Sequence, residues 1–217
     1  MTWIAQLALV LASVPLVMAA AFWATMRGMT RTSLRRVSPA DSLYGGFSAK
    51  LREHDEWASA HGFRHVGCYT VTPISGLLIA WEGTPTSRML CVYCVRKKWV
   101  TEFETRFTGS TLLDTTDAAT THSLPRPPQV YCQSFPHAKR EELWARHLDG
   151  ERFLMQYGKV APPDQHIDFE EFFVSSMVQH AQYVRSLPLW AFRSVYAYLF
   201  GRWRFRGRSL IEQHQAG

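Results

Sequence analysis

The sequence predicts an α+β fold: an N-terminal transmembrane helix, then an antiparallel β-meander of about six strands flanked by helices. Two observations support this prediction. The first 26 residues contain no charged side chain, and four arginines follow within the next ten residues. From Phe63 onward apolar residues recur at every second position, and the links between the segments are too short for parallel crossovers. A membrane anchor followed by a sheet of sequential strands is therefore expected.

The N-terminal apolar segment is long enough to cross a membrane as a helix. Residues 3–26 would extend about 36 Å at roughly 1.5 Å per residue, whereas a hydrocarbon core is about 30 Å thick. Trp3 and Trp23 lie near its ends, where indole rings favour the membrane interface. The alternative is a signal peptide cleaved near Ala20, but no basic residue precedes the apolar run, as such a peptide requires.

The arginines after this helix predict its orientation. Arg27, Arg31, Arg35 and Arg36 all follow the apolar run, and positively charged flanks remain in the cytoplasm. We therefore expect a single-pass protein of the inner (cytoplasmic) membrane, with its N-terminus outside and its main domain in the cytoplasm.

Charge divides the chain into three parts: a transmembrane anchor with a basic collar at 1–36, a cytoplasmic α+β domain at 37–187, and an aromatic and basic interfacial tail at 188–217. The net charge is +6. The arginines of residues 27–36 and 189–208 supply four and five positive charges, which leaves a net charge of −3 for the remaining residues. Basic charge at both ends of an acidic domain favours an anionic lipid surface as partner and argues against nucleic acid.

Helices are predicted on both sides of the strand-rich region. The first starts at Ser38–Asp41 and stops at Gly62, and the later ones span 138–148, ending at Gly150, and 168–186. Between them, period-two patterns predict strands at 63–72, 76–83, 87–95, 98–107, 110–116 and 129–134.

The strand at 98–107 is predicted to bury only one of its faces. Trp99, Phe103 and Phe107 share one face, which is expected to meet the core. Glu102 and Glu104 share the other face and are interpreted as solvated, as are the other acidic pairs of the chain.

The tail combines aromatic residues with arginines. This composition is typical of a helix at a membrane interface or against an acidic partner, and the alternative is a terminal helix docked on its own domain. The residues predicted to contact a membrane or partner are Trp3, Trp23, Arg27, Arg31, Arg35, Arg36, Trp190, Arg193, Arg202, Trp203, Arg204, Arg206 and Arg208.

The four cysteines are not expected to bind metal. Cys91 and Cys94 form a CxxC motif, which Cys68 and Cys132 could complete to a four-cysteine zinc site. The motif lies in a predicted strand, where residues three apart point to opposite faces, so the two thiols could not bind one ion. We predict free thiols and neither a metal nor a cofactor.

No sequence motif of an established catalytic class is present. The chain lacks HExxH, GxSxG, GxGxxG and the P-loop pattern. His147 and His180 lie on apolar helix faces and are interpreted as core residues. We therefore predict that the chain is not an enzyme.

The order of four segments resembles that in a group of uncharacterised single-pass bacterial membrane proteins with a cytoplasmic β-meander domain. The segments are GFRHVGCYTV, CVYCVRKKWVTEFETRF, TGSTLLDTT and RPPQVYCQSFP, and the similarity covers residues 62–148. They consist of packing and turn residues, so the resemblance implies a shared fold and no activity or site.

Taken together, the anchor and the tail predict a non-catalytic, membrane-anchored accessory subunit of a larger membrane protein complex. Its expected partners are anionic lipid and other integral membrane subunits, attached at the two ends of the chain. The alternative function is a membrane-associated enzyme, or a domain that binds lipid or a small molecule on the concave face of its sheet.

Overall fold

In the described part of the chain, seven β-strands lie side by side in the order in which they occur in the sequence. A computed structural model describes residues 3–73, 76–83, 87–95, 97–119, 123–158, 168–201 and 205–215. Neighbouring strands are antiparallel except for the last two, which are parallel. The strands are β1 (Ser33–Val37), β2 (Phe63–Thr72), β3 (Gly76–Gly83), β4 (Arg88–Val95), β5 (Lys98–Arg106), β6 (Leu112–Thr116) and β7 (Val130–Ser134).

Helices precede, follow and cover this sheet. A short 3₁₀ turn at Ser42–Tyr44, capped by Asp41, leads into the second helix, and a π-helical turn at Ala197–Gly201 continues the fifth. The α-helices are α1 (Trp3–Met29), α2 (Gly45–Ala60), α3 (Arg140–Gln156), α4 (Phe169–Ser186), α5 (Trp190–Tyr196) and α6 (Leu210–Gln215).

The predicted antiparallel meander of about six strands is wrong in two respects, and the sheet is mixed. A seventh strand, β1, pairs with β2 at the edge, with Arg35 opposite Thr70. Its arginines were assigned to a basic collar, but charged side chains are common on edge strands because they discourage further pairing. In addition, β7 runs parallel to β6, because the segment 117–129 is long enough to return the chain to the same end of the sheet.

Helix α1 forms where the apolar segment predicts it, but the predicted transmembrane span is contradicted. Among the residues described, none of the helices is both long enough and apolar enough to cross a membrane. The last turns of α1 pack inside the protein, where Met26 and Met29 are buried with Ala181 and Val184 of α4. The single-pass inner-membrane placement, with the N-terminus outside and the domain in the cytoplasm, depended on this span and is wrong with it. An apolar run predicts a buried helix but does not distinguish burial in lipid from burial in protein.

Both faces of the sheet are covered by helices. On one face, α2 and α3 enclose a core that includes Phe47, Trp81, Phe103 and Leu143. On the other face, α4 lies across the sheet, and Phe169 at its start packs on a second core cluster. Because both faces are covered, a side chain on either face of a central strand is shielded from bulk water.

Helix α3 continues past Gly150, where it was predicted to stop. A Cβ atom at this position would lie 2.9 Å from Gln133 Nε2 and 3.2 Å from Leu113 Cδ2. The glycine therefore allows the helix to approach the sheet closely, and this packing, not a helix end, explains its presence.

A buried hydrogen-bond network joins α3 to the sheet. Thr105 Oγ1 donates to Glu151 Oε1 at 2.5 Å, and the ring of His147 bonds Thr105 Oγ1 at 2.8 Å and Thr115 Oγ1 at 2.9 Å. Arg88 donates to both carboxylate oxygens of Glu151, at 2.8 and 2.7 Å. His147 is fully buried with both ring nitrogens paired, which confirms its interpretation as a core residue.

The C-terminal segment packs on its own domain. In α5, Ser194 and Val195 are buried, and the helix contacts α1 and α4. In α6, Leu210 is buried beside Leu154, and Gln213 Nε2 donates to the carbonyl oxygen of Cys132 at 3.0 Å. For these residues the structure shows the docked arrangement that was the alternative to an interfacial tail.

Candidate functional site

A cavity of about 900 Å³ lies between the sheet and helix α4. Most of its lining surface is apolar. Phe172, Phe173, Met177 and Tyr183 contribute to this surface from α4, alongside serine, glutamine and histidine side chains of the same helix, and Leu78 contributes from the sheet. Strands β4, β5 and β6 and the segment 123–130 complete the lining. The apolar stripe of α4 thus covers a cavity over part of its length instead of packing directly on the sheet.

Four polar side chains from three neighbouring strands form the floor of this cavity. Glu102 and Glu104 are two residues apart on β5, so both point to the same face of the sheet. Asp114 of β6 is paired with Glu104 across the strands, and Tyr93 of β4 donates a hydrogen bond of 2.5 Å to Glu102 Oε2. Three carboxyl groups and a phenol are therefore brought together at the polar end of an otherwise apolar space.

Asp114 is almost fully buried, and only one of its two carboxylate oxygens accepts hydrogen bonds. Its Oδ2 atom accepts hydrogen bonds from Arg126 Nη1 at 3.1 Å and from the Cys132 thiol at 3.2 Å. Its Oδ1 atom is buried and has no hydrogen-bond partner among the residues described. A buried acceptor without a partner costs about 1–3 kcal/mol, so a donor on a bound molecule would be stabilised here.

The electrostatic environment of the floor disfavours negative charge. Burial, together with repulsion from Asp114, raises the pKa of Glu104 to about 7. Burial raises the pKa of Glu102 well above its ordinary value, and the nearby charges of Asp114 and Glu104 add to this effect. The two glutamates therefore hold protons near neutral pH, and carboxyl groups with raised pKa in a cavity are typical of functional sites.

The helix side of the cavity carries one titratable ring. His180 of α4 lines the cavity, and its Nε2 atom bonds the carbonyl oxygen of Pro125 at 2.8 Å. Burial lowers the pKa of His180, so at neutral pH the ring is uncharged and its Nε2–H donates to this carbonyl. His180, interpreted from the sequence as a packed core residue, instead faces the cavity and helps to fix the segment that carries Arg126.

Both cysteines of the CxxC motif lie on β4, as predicted. Cys91 lines the cavity, and Cys94 lies three residues further along the strand, where side chains point to the opposite face. All four cysteines are free, and burial raises the pKa of the Cys91 and Cys132 thiols. In the described ranges, no group of three or more His, Cys, Asp or Glu side chains is arranged to hold a metal ion.

The N-terminal residues predicted to contact a membrane or partner lie away from this cavity. Trp3 is highly exposed at the start of α1. Trp23, Arg27 and Arg31, together with Trp190 of α5, line a separate cavity of about 290 Å³. Contact of these residues with a partner stays a prediction.

The two remaining N-terminal arginines belong to β1 and are paired within the chain. Arg35 Nη1 forms an ion pair of 2.9 Å with Asp41 Oδ2. Arg36 Nη2 donates to Tyr69 Oη at 3.1 Å, and Arg36 Nε lies 3.6 Å from Glu170 Oε1. These contacts attach the edge strand to the domain.

The predicted tail residues are dispersed. Arg193 and Arg208 are exposed, and Arg206 forms a β-bridge with Ser134. Arg202, Trp203 and Arg204 lie outside the described residues.

The cavity residues were not predicted from the sequence, because one face of β5 was expected to meet water. Glu102 and Glu104 were interpreted as solvated, yet this face lies under α4. Cys91 and Tyr93 of the adjacent strand β4 lie on the same face of the sheet as Glu102 and Glu104, and they could have indicated that this face is covered. An aromatic and a cysteine beside a charged pair indicate a covered face, and the apolar stripe of α4 needed a surface to cover.

Fold and site together define an α+β domain with a cavity of ligand size between its sheet and one helix. No protein-family model matches the chain, and no curated protein or solved structure is significantly similar to it. The cavity and its side chains are therefore the basis for the function proposed below.

Proposed function

We propose that this chain is a small-molecule-binding domain whose site is the cavity between the sheet and α4. The observation that carries the proposal is the combination of a largely apolar space of about 900 Å³ with a polar floor of three carboxyl groups, a phenol and an arginine. Ligand sites are typically concave, mostly apolar and about 300–1,000 Å³ in volume, with a few polar groups that orient the ligand. The cavity has each of these properties.

The energetics of the floor also support a binding site. A fold that needed only stability would gain from apolar residues at these positions, because burying carboxyl groups without full pairing is costly. Glu102, Glu104 and Asp114 occupy adjacent strands on one face, where burial and the nearby Asp114 oppose ionisation of the two glutamates. Residues that reduce stability and line a cavity are more readily explained by binding than by folding.

We propose binding without catalysis. Cys91 is the thiol nucleophile among the described lining residues, and burial raises its pKa, which keeps it in the unreactive protonated form. His180 donates its Nε2–H to a backbone carbonyl and is not aligned to activate a nucleophile in this arrangement. The polar groups of the floor are suited to donating and accepting hydrogen bonds.

The proposal is tested by a substitution that places a bulky side chain in the cavity. Ser176 of α4 lines it, so Ser176→Trp should occupy the space and abolish the saturable binding of a neutral apolar dye, Nile red. Glu171→Trp, on an exposed position of the same helix outside the lining, is the matched control and should retain dye binding. Met177→Trp provides a second filled variant, and circular dichroism checks that each variant is folded. Equal dye binding by the filled and control variants would refute the cavity as a binding site.

A second candidate, an accessory subunit that binds another protein, is favoured by the exposed apolar side chains of α1 and α5. Trp23, Phe192, Tyr196 and Phe200 are each at least half exposed. Exposed apolar groups of this size are typical of protein contact surfaces. Mild purification with mass spectrometry would support this candidate if a stoichiometric partner were lost on Phe192→Ser with Phe200→Ser. If the chain purifies without a partner protein, this second candidate is contradicted.

A further inference from the structure

We infer that the ligand of this cavity is an organic cation: an amine with an apolar body, whose ammonium group is bound by Glu102, Glu104 and Asp114. This inference rests on the proposed function, because it names the class of molecule that the same cavity takes. The arrangement of charge at the floor, an unpartnered acceptor and the aromatic walls all point to this class.

The floor carries more negative groups than the protein itself neutralises. Arg126 is paired with Asp114 at 3.1 Å. In the part of the chain that the structure describes, neither Glu102 nor Glu104 makes an ion pair. Arg106, at an exposed position of the lining, lies over the ring of Phe172 at 5.8 Å from its centroid. When either glutamate ionises, neither of these arginines forms an ion pair with it in the described structure, and an ammonium group would supply that pair.

A second observation points to a ligand that donates hydrogen bonds. Asp114 is 5% exposed and lines the cavity, yet its Oδ1 atom has no hydrogen-bond partner among the described side chains and backbone. An ammonium group offers three donors, enough to reach this oxygen and the carboxylates of Glu102 and Glu104. Hydrogen bonds between charged partners are about twice as strong as neutral ones, so this match favours an amine over an alcohol.

Two other charged ligands fit less well. A metal ion requires several ligand atoms at about 2.0–2.6 Å from one point, and the described residues contain no such group. The hydrogen bonds of an ammonium group are longer, about 2.7–2.9 Å, and do not require this convergence. An anion would face Arg126, but this arginine is already paired with Asp114, and two further carboxyl groups lie beside it. One ammonium group and Arg126 together balance two of the three carboxyl groups, and the third can keep its proton, so an organic cation fits this floor better than a metal ion or an anion.

The walls suit the rest of such a molecule. Phe172, Phe173 and Tyr183 contribute aromatic rings to the lining from α4. Aromatic faces attract organic cations and also bury apolar surface. A volume of about 900 Å³ accommodates an aryl or alkyl body together with the amine.

Binding of a cation should be linked to proton release. Burial and neighbouring carboxylates raise the pKa of both glutamates, so each must lose a proton before it can form an ion pair with the ligand. Amine affinity should therefore increase as the pH rises through about 7, as long as the amine itself stays protonated. The titratable and charged groups that face Glu102 and Glu104 are Cys91 and Tyr93 from β4, Arg106 from β5, Asp114 from β6, Cys132 from β7, Arg126 from the segment before β7, and His180 from α4.

The test uses three probes with one apolar body and different head groups: 4-phenylbutylamine, 4-phenylbutanol and 4-phenylbutanoate. Their affinities for the full chain are measured by displacement of Nile red and by calorimetry at about pH 7, where Glu104 still holds part of its proton. The amine should bind roughly tenfold more tightly than the alcohol, and the acid should bind more weakly than both. In buffers of different ionisation enthalpy, amine binding should release protons and alcohol binding should not.

Variants separate this inference from the proposed function. The nearly isosteric double substitution Glu102→Gln with Glu104→Gln should abolish the preference for the amine and keep the alcohol, whereas Glu171→Gln, exposed outside the cavity, should keep the preference. If Nile red binds to the cavity but the amine binds no better than the alcohol, the cation inference fails and the binding function stands. If the filled variant Ser176→Trp binds the dye as well as the unmodified chain does, the proposed function itself fails.

Discussion

Glu104 of β5 and Asp114 of β6 stand directly opposite each other in the antiparallel pairing, on the face of the sheet that lines the cavity. Opposed like charges destabilise a sheet, and here the surrounding burial increases the effect. This relationship makes the stability of the domain depend on pH near neutrality.

Replacing Glu104 by glutamine should stabilise the domain at high pH. The folded-state pKa of about 7 lies above the ordinary value of 4.5, so the stability due to the protonated form is complete below about pH 4.5 and is lost as the pH rises through 7. At about pH 8, Glu104→Gln should raise the free energy of unfolding by up to about 3 kcal/mol, and near pH 4.5 by much less. Urea unfolding at both pH values measures this. Glu56→Gln, exposed on α2, should show neither effect, and an equal change in the two variants would contradict the prediction.

Glu151 should have the opposite pH dependence. Burial alone would raise its pKa, but the His147 ring, with Nε2 3.5 Å from Glu151 Oε1, and hydrogen bonds from Arg88 and Thr105 lower it to about 2. Its contribution, about 3 kcal/mol, is therefore present above about pH 4.5 and is lost as the pH falls towards 2. Glu151→Gln should lower the free energy of unfolding at pH 7 and change it little near pH 2. The control Glu142→Gln, exposed on the same helix, should cost less than about 0.5 kcal/mol at any pH.

Two glycine substitutions should change stability in opposite directions. A Cβ at Gly150 would overlap Gln133 Nε2 at 2.9 Å, so Gly150→Ala should destabilise by about 1–3 kcal/mol through overpacking. Gly45, at the start of α2, has helical φ and ψ angles, and an added methyl group would meet no atom within 4 Å, so Gly45→Ala should stabilise by about 0.5–1 kcal/mol. Thermal unfolding of the two variants measures both changes. Stabilisation by Gly150→Ala would show that α3 and the sheet are not as close as described.

The docking of α6 can be tested with adjacent residues. Leu210 is buried with Phe107, Leu113 and Leu154, whereas Ile211 is 42% exposed. Leu210→Ala should therefore cost about 2–5 kcal/mol and Ile211→Ala much less. Chemical denaturation of the two variants measures the loss in the free energy of unfolding for each. Equal, small effects would mean that α6 does not pack on the domain in solution.

The sequence predicted most of the strands because their alternation is a local property of the chain. The prediction of 63–72 and 76–83 agrees with β2 and β3, and Gly62 has the positive φ expected at the end of α2. Strand β1 was missed because its five residues show no alternation that separates it from a basic linker. The parallel arrangement of β7 was missed because direction depends on where the connecting segment leads, which no local pattern records.

The candidate site could not be predicted in the same way, because it depends on which helix covers which face. Glu102 and Glu104 have the same spacing whether their face meets water or α4. Their environment depends on Asp114 and Arg126, which are distant in sequence and meet them only after β6 has paired with β5. The role of α1 has the same limit, because the packing of Met26 and Met29 on α4 is a contact between segments far apart in sequence.

The sequential order of the sheet also has a consequence for biosynthesis. Each strand pairs with the one made just before it, so β2 to β5 can assemble by short-range hairpin closures as the chain emerges from the ribosome. Helix α1 is made first, but its partners in α4 and α5 are made last. Nascent chains halted before Phe169 should therefore have protease-resistant central strands while α1 is still digested, and simultaneous protection of both would contradict this order of assembly. Of all the helices described, α1 must wait longest for its packing partners, so its apolar side chains are exposed for the longest part of synthesis.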